Sequence, residues 1–231
     1  MLPVYNPIDG WAENVVTRFN ELKMECLDFG ELYLIIVDDG SSTQNIRTGR
    51  LLIEADLPEA RWIEYTPNRG KGYALRKGVE AADSAFIIYT DIDFPYTNKS
   101  ILAIIENLVS GKYDAVIGTR DESYYDNLPS SRRWISHILK KLNALILRLK
   151  IPDTQGGLKG FTKELKPVFL KTRIDRYLFD LEFIYLLSRK RNSRILPVKV
   201  KLREGVEFSK VRLKILAGEF KNFLKVLFSA K

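Results

Sequence analysis

The sequence predicts an α/β fold in which a mostly parallel sheet is flanked by helices. Three observations lead there. The apolar runs Leu32–Val37 and Ala85–Thr90 have the length of buried strands, and each ends abruptly in acids, Asp38-Asp39-Gly40 and Asp91-Ile92-Asp93. Segments of helical period alternate with such runs, the pattern of parallel strands joined by crossover helices. The chain has 231 residues, 45% hydrophobic and 29% charged, enough for one well-buried domain.

The elements follow in order. Residues 2–5 read as a short strand and 10–27 as a helix. The acid-terminated strand 32–37 leads into a helical segment near 43–55, then a strand over 61–65. The glycine pair Gly70 and Gly72 opens a helix over 71–82. The second acid-terminated strand, 85–90, is followed by a helix over 98–110 and a strand over 113–118. A basic helix spans about 132–150, with Ile135, Ile138, Leu139, Leu142, Leu145, Ile146 and Leu149 at helical spacing. A loop around Asp153 to Gly157, a strand near Lys159–Thr162, and helices from Lys163 and Leu178 come next. A last strand, Arg194–Leu202, precedes a basic terminal helix. No repeat, low-complexity stretch or linker rich in Pro, Gly or Ser divides the chain.

Three motifs carry chemistry. Asp91 and Asp93, one residue apart at a strand end, are expected to face one site because alternate strand residues point the same way. Two hard oxygen ligands suit Mg²⁺ or Mn²⁺. Asp38 and Asp39 offer carboxylates to the ring N–H or hydroxyl groups of a nucleoside. Between them lies Asn68-Arg69-Gly70-Lys71-Gly72, where glycines permit close approach, a helix begins, and Lys71 adds a positive charge for phosphate. Each motif alone has a plainer reading: solvated loop acids, a helix cap, a glycine turn with surface lysines.

Together they resemble the family 2 inverting glycosyltransferases. Leu2-Pro3-Val4-Tyr5-Asn6, Val37-Asp38-Asp39-Gly40-Ser41, Asn68-Arg69-Gly70-Lys71-Gly72 and Asp91-Ile92-Asp93 stand in that family's order and spacing. The later half is similar to the branch that loads sugars onto polyprenyl phosphates, the dolichyl-phosphate mannose synthases and glucosyltransferases. Gly118-Thr119-Arg120 resembles its G-S-R segment, and Ser131-Arg132-Arg133 the basic start of its interfacial helix. Asp153-Thr154-Gln155-Gly156-Gly157-Leu158-Lys159-Gly160-Phe161 resembles D-T-Q-C-G-F-K-x-F, and Phe179-Asp180-Leu181-Glu182 resembles F-D-V-E.

That resemblance implies a GT-A fold, with a catalytic domain over 1–205 that includes the amphipathic helix at about 132–150, and a basic amphipathic C-terminal helix over 206–231. It implies inverting transfer of a hexose from a nucleotide sugar, of the UDP-glucose or GDP-mannose class, to a polyprenyl phosphate. Asp91 and Asp93 would hold Mg²⁺ or Mn²⁺. Pro3, Tyr5, Asn6, Asp38, Asp39, Lys71, Gly72 and Ile92 would bind the donor. Arg120 and Asp153 would act at the reacting centre, and Arg120, Arg132 and Arg133 would seat the acceptor phosphate. Ser209-Lys210-Val211-Arg212 would close over the donor. Two other readings stay open: a soluble glycan or protein acceptor, and a nucleotide-sugar-binding scaffold without turnover.

Departures from the family pattern are expected to matter. Most of the usual first strand is absent before Pro3, and Pro7 stands where Glu is usual. Pro95 replaces a Gln found near the metal in mannose synthases. Gly156 replaces Cys, expected only to remove packing.

The net charge is +8. It concentrates in the 132–150 helix and in 206–231, both of which read as amphipathic faces for an anionic membrane. The basic balance equally fits nucleic acid, but the zinc-finger, RRM and basic-zipper signatures are missing and the sharpest motifs are acidic, so nucleic acid is not expected as partner. No leader pattern and no apolar run of bilayer length are found. A peripheral place at the cytoplasmic face of a membrane is expected. Cys26 excludes an internal disulfide, and the assembly state is not legible.

Overall fold

A computed structural model describes residues 1–120, 151, 153–154, 156–176 and 178–205. Seven strands and six helices alternate as β1 Leu2–Val4, α1 Trp11–Glu25, β2 Ile35–Asp38, α2 Gln44–Asp56, β3 Arg61–Glu64, α3 Lys71–Ala81, β4 Phe86–Tyr89, α4 Asn98–Val109, β5 Ala115–Arg120, β6 Lys159–Thr162, α5 Lys166–Leu170, α6 Phe179–Arg189 and β7 Ile195–Val200 among the described residues. A 3-10 turn, Lys163–Leu165, leads into α5.

The strands form two ladders. One has the order β1-β2-β3, all parallel, with Leu2 opposite Ile36 and Asp38 opposite Glu64. The other has the order β4-β6-β5-β7, with β6 antiparallel to both neighbours. Met1 joins them: its nitrogen donates to Ile88 O at 2.8 Å, and its carbonyl accepts from Thr90 N at 3.2 Å. This bond pattern is that of a parallel rung. The spatial order is therefore 3-2-1-4-6-5-7, and the first strand is short but paired on both sides.

Residue alternation divides the core between the two faces of the sheet. Ile87, Tyr89, Ala115, Ile117 and Phe161 face α3, α5 and α6. Ile36, Val116 and Leu158 face α1, α2 and α4. The first face is aromatic: Phe169 stacks on Phe161 at 5.2 Å and meets Phe183 edge-on at 4.7 Å. Such ring pairs add to the burial term, which itself amounts to about 1.5–3 kcal/mol per fully buried large apolar side chain.

Strand β2 starts three residues later than expected, because Leu2 opposite Ile36 is its first rung toward β1. Before it, Leu32, Phe86, Phe19, Leu22, Ile101 and Ile105 line an apolar cleft of about 510 Å³. None of the site residues expected from the sequence lines it. Those among the described residues gather at the other edge, where β1, β2, β3, β4 and β5 end and β6 begins.

Candidate active site

Strand β4 stops at Tyr89, and Asp91–Phe94 form a turn closed by Phe94 N donating to Asp91 O at 3.1 Å. The two carboxylates thus come from a turn, not from alternate positions of a strand as the sequence suggested. The reason is Phe94, whose φ of 47° reverses the chain. Arg203 holds this turn from outside, Nε donating to Phe94 O at 2.6 Å and Nη2 to Asp93 O at 2.7 Å. Asn14 Nδ2 adds a bond to Asp93 O at 3.1 Å. Ile92 is half-buried and packs into the core beneath.

Asp93 lies at the mouth. Loss of water to neighbouring protein atoms, and then the negative charge of Asp91, hold its carboxyl above the ordinary value. Lys71, the first residue of α3, places its ammonium against Asp91 Oδ1. Burial works against that charge, but Asp91, Asp180 and Asp93 outweigh it and hold Lys71 above the ordinary lysine value. The pocket of carboxylates is therefore one that stabilises a cation. Two oxygens from Asp91 and Asp93 fit Mg²⁺ or Mn²⁺, which would complete a shell with phosphate oxygens and water. Among the described residues no group of three or more His, Cys, Asp and Glu could hold a metal by itself.

Asp39 differs from expectation. Its carboxylate accepts from Tyr65 Oη (2.8 Å), Asn68 Nδ2 (2.7 Å), Arg69 N (2.8 Å) and Gly70 N (2.7 Å). A carboxylate offers about four acceptor positions, so these bonds use them all and leave none for a nucleoside. Asp39 instead pins the loop from β3 to α3, whose amides would otherwise lack partners. Among the described residues Asp38 carries one side-chain bond, Oδ1 accepting from Ser41 N at 2.9 Å. Pro3 lies in β1 opposite Val37. Tyr5 is 53% exposed beside this rim. Asn6 is tied back to β2's loop, with its N–H on Ser41 Oγ and its Oδ1 accepting from Ser42 N, both at 2.9 Å. Pro7 is buried, and its carbonyl accepts from Asn45 Nδ2 at 3.3 Å.

Gly72 also departs from its expected role. Its N–H donates to Asp175 O at 2.7 Å, and Tyr73 N reaches the same oxygen at 3.3 Å. The helix start is thus capped by protein, not held open for phosphate. What the glycine supplies is closeness, because a Cβ there would meet Ile174 O at 2.5 Å. The capping segment is itself held down. Arg76 pairs with Asp175 and donates to Ile174 O at 2.9 Å, and Glu182 accepts from Arg173 N and Ile174 N, each at 2.8 Å.

Across the rim, Arg120 ends β5 and grips Asp153. Nε donates to Oδ2 at 2.7 Å and Nη2 to Oδ1 at 2.9 Å, while the Arg120 amide reaches Oδ2 at 3.0 Å. Asp153 is 3% exposed. Gly157 N donates to Tyr96 Oη at 2.7 Å. Gly156 does more than remove packing: a side chain there would run into the Gly118 carbonyl, so glycine lets the loop lie on β5. Beneath the rim, Lys159 is fully buried. Its ammonium donates to Asp180 Oδ1 at 2.6 Å and Gly156 O at 2.5 Å, and Tyr89 Oη shares that carboxylate at 2.6 Å. Burial pushes Lys159 below the ordinary lysine value against the pull of Asp180. The nearby Glu182 binds backbone amides.

The structure brings Asp91, Asp93, Lys71, Asp38, Arg120 and Asp153 to one sheet edge. Tyr65, Asn68, Tyr96, Arg76, Asp175 and Arg203, which hold this edge in shape, were not visible as site residues. Apart from Asn68 they sit in no motif, and all act through contacts between distant segments. Arg132, Arg133, Gln155, Ser209–Arg212 and the two amphipathic segments lie outside the described residues. Among the described residues, no helix is long and apolar enough to cross a membrane.

Comparison with known proteins agrees with this architecture. The family model described as Glycosyl transferase family 2 matches residues 1–168. Dolichyl-phosphate beta-glucosyltransferase of Dictyostelium discoideum is 28% identical over 217 residues, 88% of this chain and 65% of that protein. The human protein of the same name is 24% identical over 216 residues, 81% of this chain and 65% of that one. The chain thus spans about 65% of the length of these relatives. Among solved structures, glucosyl-3-phosphoglycerate synthase of Mycobacterium tuberculosis with Mn²⁺ and UDP-glucose superposes with a TM-score of 0.63 at 17% identity, covering 99% of this chain and 76% of that one. Its complex with phosphoglyceric acid gives 0.68 at 17% identity, covering 99% and 77%. At such identity the likeness is one of fold, and the fold is GT-A.

Proposed function

Because the chain belongs to glycosyl transferase family 2, we propose that it transfers a hexose from a nucleotide sugar to a polyprenyl phosphate at a membrane surface, with inversion at the anomeric carbon. Glucose from UDP-glucose is the favoured donor group, since the similar curated proteins are named dolichyl-phosphate beta-glucosyltransferases and a solved neighbour binds UDP-glucose. GDP-mannose is the second donor class. The observation that carries the reading is the meeting of Asp91, Asp93 and Lys71 with the Arg120–Asp153 pair at one edge of the sheet.

Asp38 and Tyr5 receive the nucleoside, and Asp39 keeps the wall of that pocket in place. Asp91 and Asp93 would hold Mg²⁺ or Mn²⁺, which supplies charge to the departing diphosphate. Lys71 adds a point charge on the same group. An oxygen of the acceptor phosphate forms the new bond to the anomeric carbon as the bond from that carbon to the β-phosphate oxygen breaks, and the nucleoside diphosphate leaves with the electron pair. The attacking oxygen is already ionised near neutral pH, so no strong base is needed. Arg120, with Arg132 and Arg133, orients it, because guanidinium forks match phosphate geometry. Asp153 sets the angle of the Arg120 fork. The acceptor places the reaction at the membrane, and a peripheral position at the cytoplasmic face suits a nucleotide-sugar donor.

Thermal shift against a donor panel, with and without Mn²⁺, tests the donor half. UDP-glucose or GDP-mannose should raise the melting temperature only with the metal, and Asp93→Ala should remove the rise. A rise of equal size without metal, or in Asp93→Ala, would reject the roles given to these carboxylates.

A further inference from the structure

We propose that Lys71 is the resident counter-ion of the metal site: its ammonium occupies the cation's place on Asp91 until donor and metal arrive, and then moves to the diphosphate. The proposal rests on the metal-assisted reading above.

Geometry gives three reasons. Lys71 Nζ lies against Oδ1 of Asp91. The other oxygen, Oδ2, faces Gly157 so closely that even a methyl group there would collide with it. The ammonium therefore already holds one of the two Asp91 oxygens that a metal would use. Second, the backbone under Lys71 is fixed. Gly72 N and Tyr73 N both donate to Asp175 O, and Gly70, at φ 109°, sits against Asp175 and Arg176. Only the four-carbon side chain is free to travel. Third, Asp91 and Asp93 are like charges in one turn, and such a pair is costly without a cation. An ammonium supplies one charge and a divalent ion two, so the ion displaces it where the ammonium gains another anion. The diphosphate is that anion.

Metal and nucleotide should then bind as a linked pair, and linkage is reciprocal. Lys71 would disfavour free metal and favour the metal–nucleotide complex, a distinction that a purely phosphate-binding lysine does not make.

The test is Mn²⁺ binding by calorimetry and by the paramagnetic resonance of free Mn²⁺, on the full chain, for wild type, Lys71→Met, Lys71→Gln and Asp93→Ala, with and without UDP. The methionine keeps the stem and loses the charge; the glutamine covers a failure of the methionine variant to fold. Without UDP, both Lys71 variants should bind Mn²⁺ more tightly than wild type, by about fivefold or more, the lower end of ordinary coupling between sites. With saturating Mn²⁺, both should bind UDP more weakly. Unchanged or weaker Mn²⁺ binding in either folded Lys71 variant would overturn the proposal. If Asp93→Ala still abolishes Mn²⁺-dependent UDP binding, the metal reading survives that failure. If Asp93→Ala binds like wild type, both fall together.

Discussion

Arg120 and Asp153 meet fork to fork, with Nε and Nη2 of the guanidinium on Oδ2 and Oδ1 of the carboxylate at 2.7 and 2.9 Å. Their side chains are 14% and 4% exposed, so this is a buried pair, and buried pairs behave differently from surface ones. Its parts arrive from the end of β5 and from the loop before β6, and it fixes the distance between them.

Breaking that pair from one side strands a charge. Arg120→Ala should lower stability by about 3–5 kcal/mol, as removal of one partner of a buried ion pair does. The double substitution Arg120→Ala with Asp153→Ala should cost less than the sum of the singles. Chemical denaturation of the four proteins measures this, and strict additivity would contradict the pairing.

Asp38 and Asp39 are neighbours with different surroundings, one bond on the Asp38 carboxylate against four on that of Asp39 among the described residues. Asp39→Ala removes the acceptor of four donors and should cost about 2–3 kcal/mol or more through unsatisfied groups. Asp38→Ala should change stability by less and weaken nucleotide binding directly. Melting temperature and UDP affinity, measured on both, separate the roles. An Asp39 variant as stable as wild type would contradict the account.

Under the rim, Asp180→Asn should be among the most destabilising single changes, at about 3–5 kcal/mol, because it leaves the fully buried Lys159 ammonium beside a neutral amide. Adding Lys159→Met should restore much of the loss. Urea midpoints of the single and double variants check it. A double variant no better than the single would show that the ion pair is not the cause.

Away from the site, Asp114 ties β5 to β7. Hydrogen bonds from Arg194 hold its carboxyl below the ordinary carboxylate value, against the raising effect of burial. A depressed carboxylate contributes stability above its unfolded pKa and loses it as pH falls through the lower, folded value. Asp114→Asn should therefore be less stable than wild type near neutral pH, and the gap should close as pH drops below about 4. A gap that stays constant through acid would contradict this.

Much of this was legible in the sequence, for physical reasons that differ by residue. Strand ends are marked by the switch from apolar residues to acids, so Asp38 and Asp91 were legible at strand ends, whereas Arg120 was legible only through the family resemblance. The bonds that occupy Asp39 and Gly72 were not legible because they come from Tyr65, Asn68 and Asp175, whose contacts to these residues leave no mark in the sequence. The turn at Asp91–Phe94 was misread as strand because the left-handed backbone of Phe94 leaves no compositional mark. Arg203 and Asp175 were missed because their contacts run through backbone carbonyls, which every residue has: Arg203 donates to those of Phe94 and Asp93, and Asp175 offers its own to Gly72 N and Tyr73 N.

The central claim is sugar transfer onto a lipid phosphate by the Asp91–Asp93 edge. The direct measurement is incubation of the full chain with radiolabelled UDP-glucose or GDP-mannose, dolichyl phosphate in detergent and Mn²⁺, followed by organic extraction of the product. The account predicts a labelled, acid-labile glycolipid that requires metal and disappears in Asp93→Ala. Label found only on water-soluble acceptors, or full lipid transfer by Asp93→Ala, would contradict it.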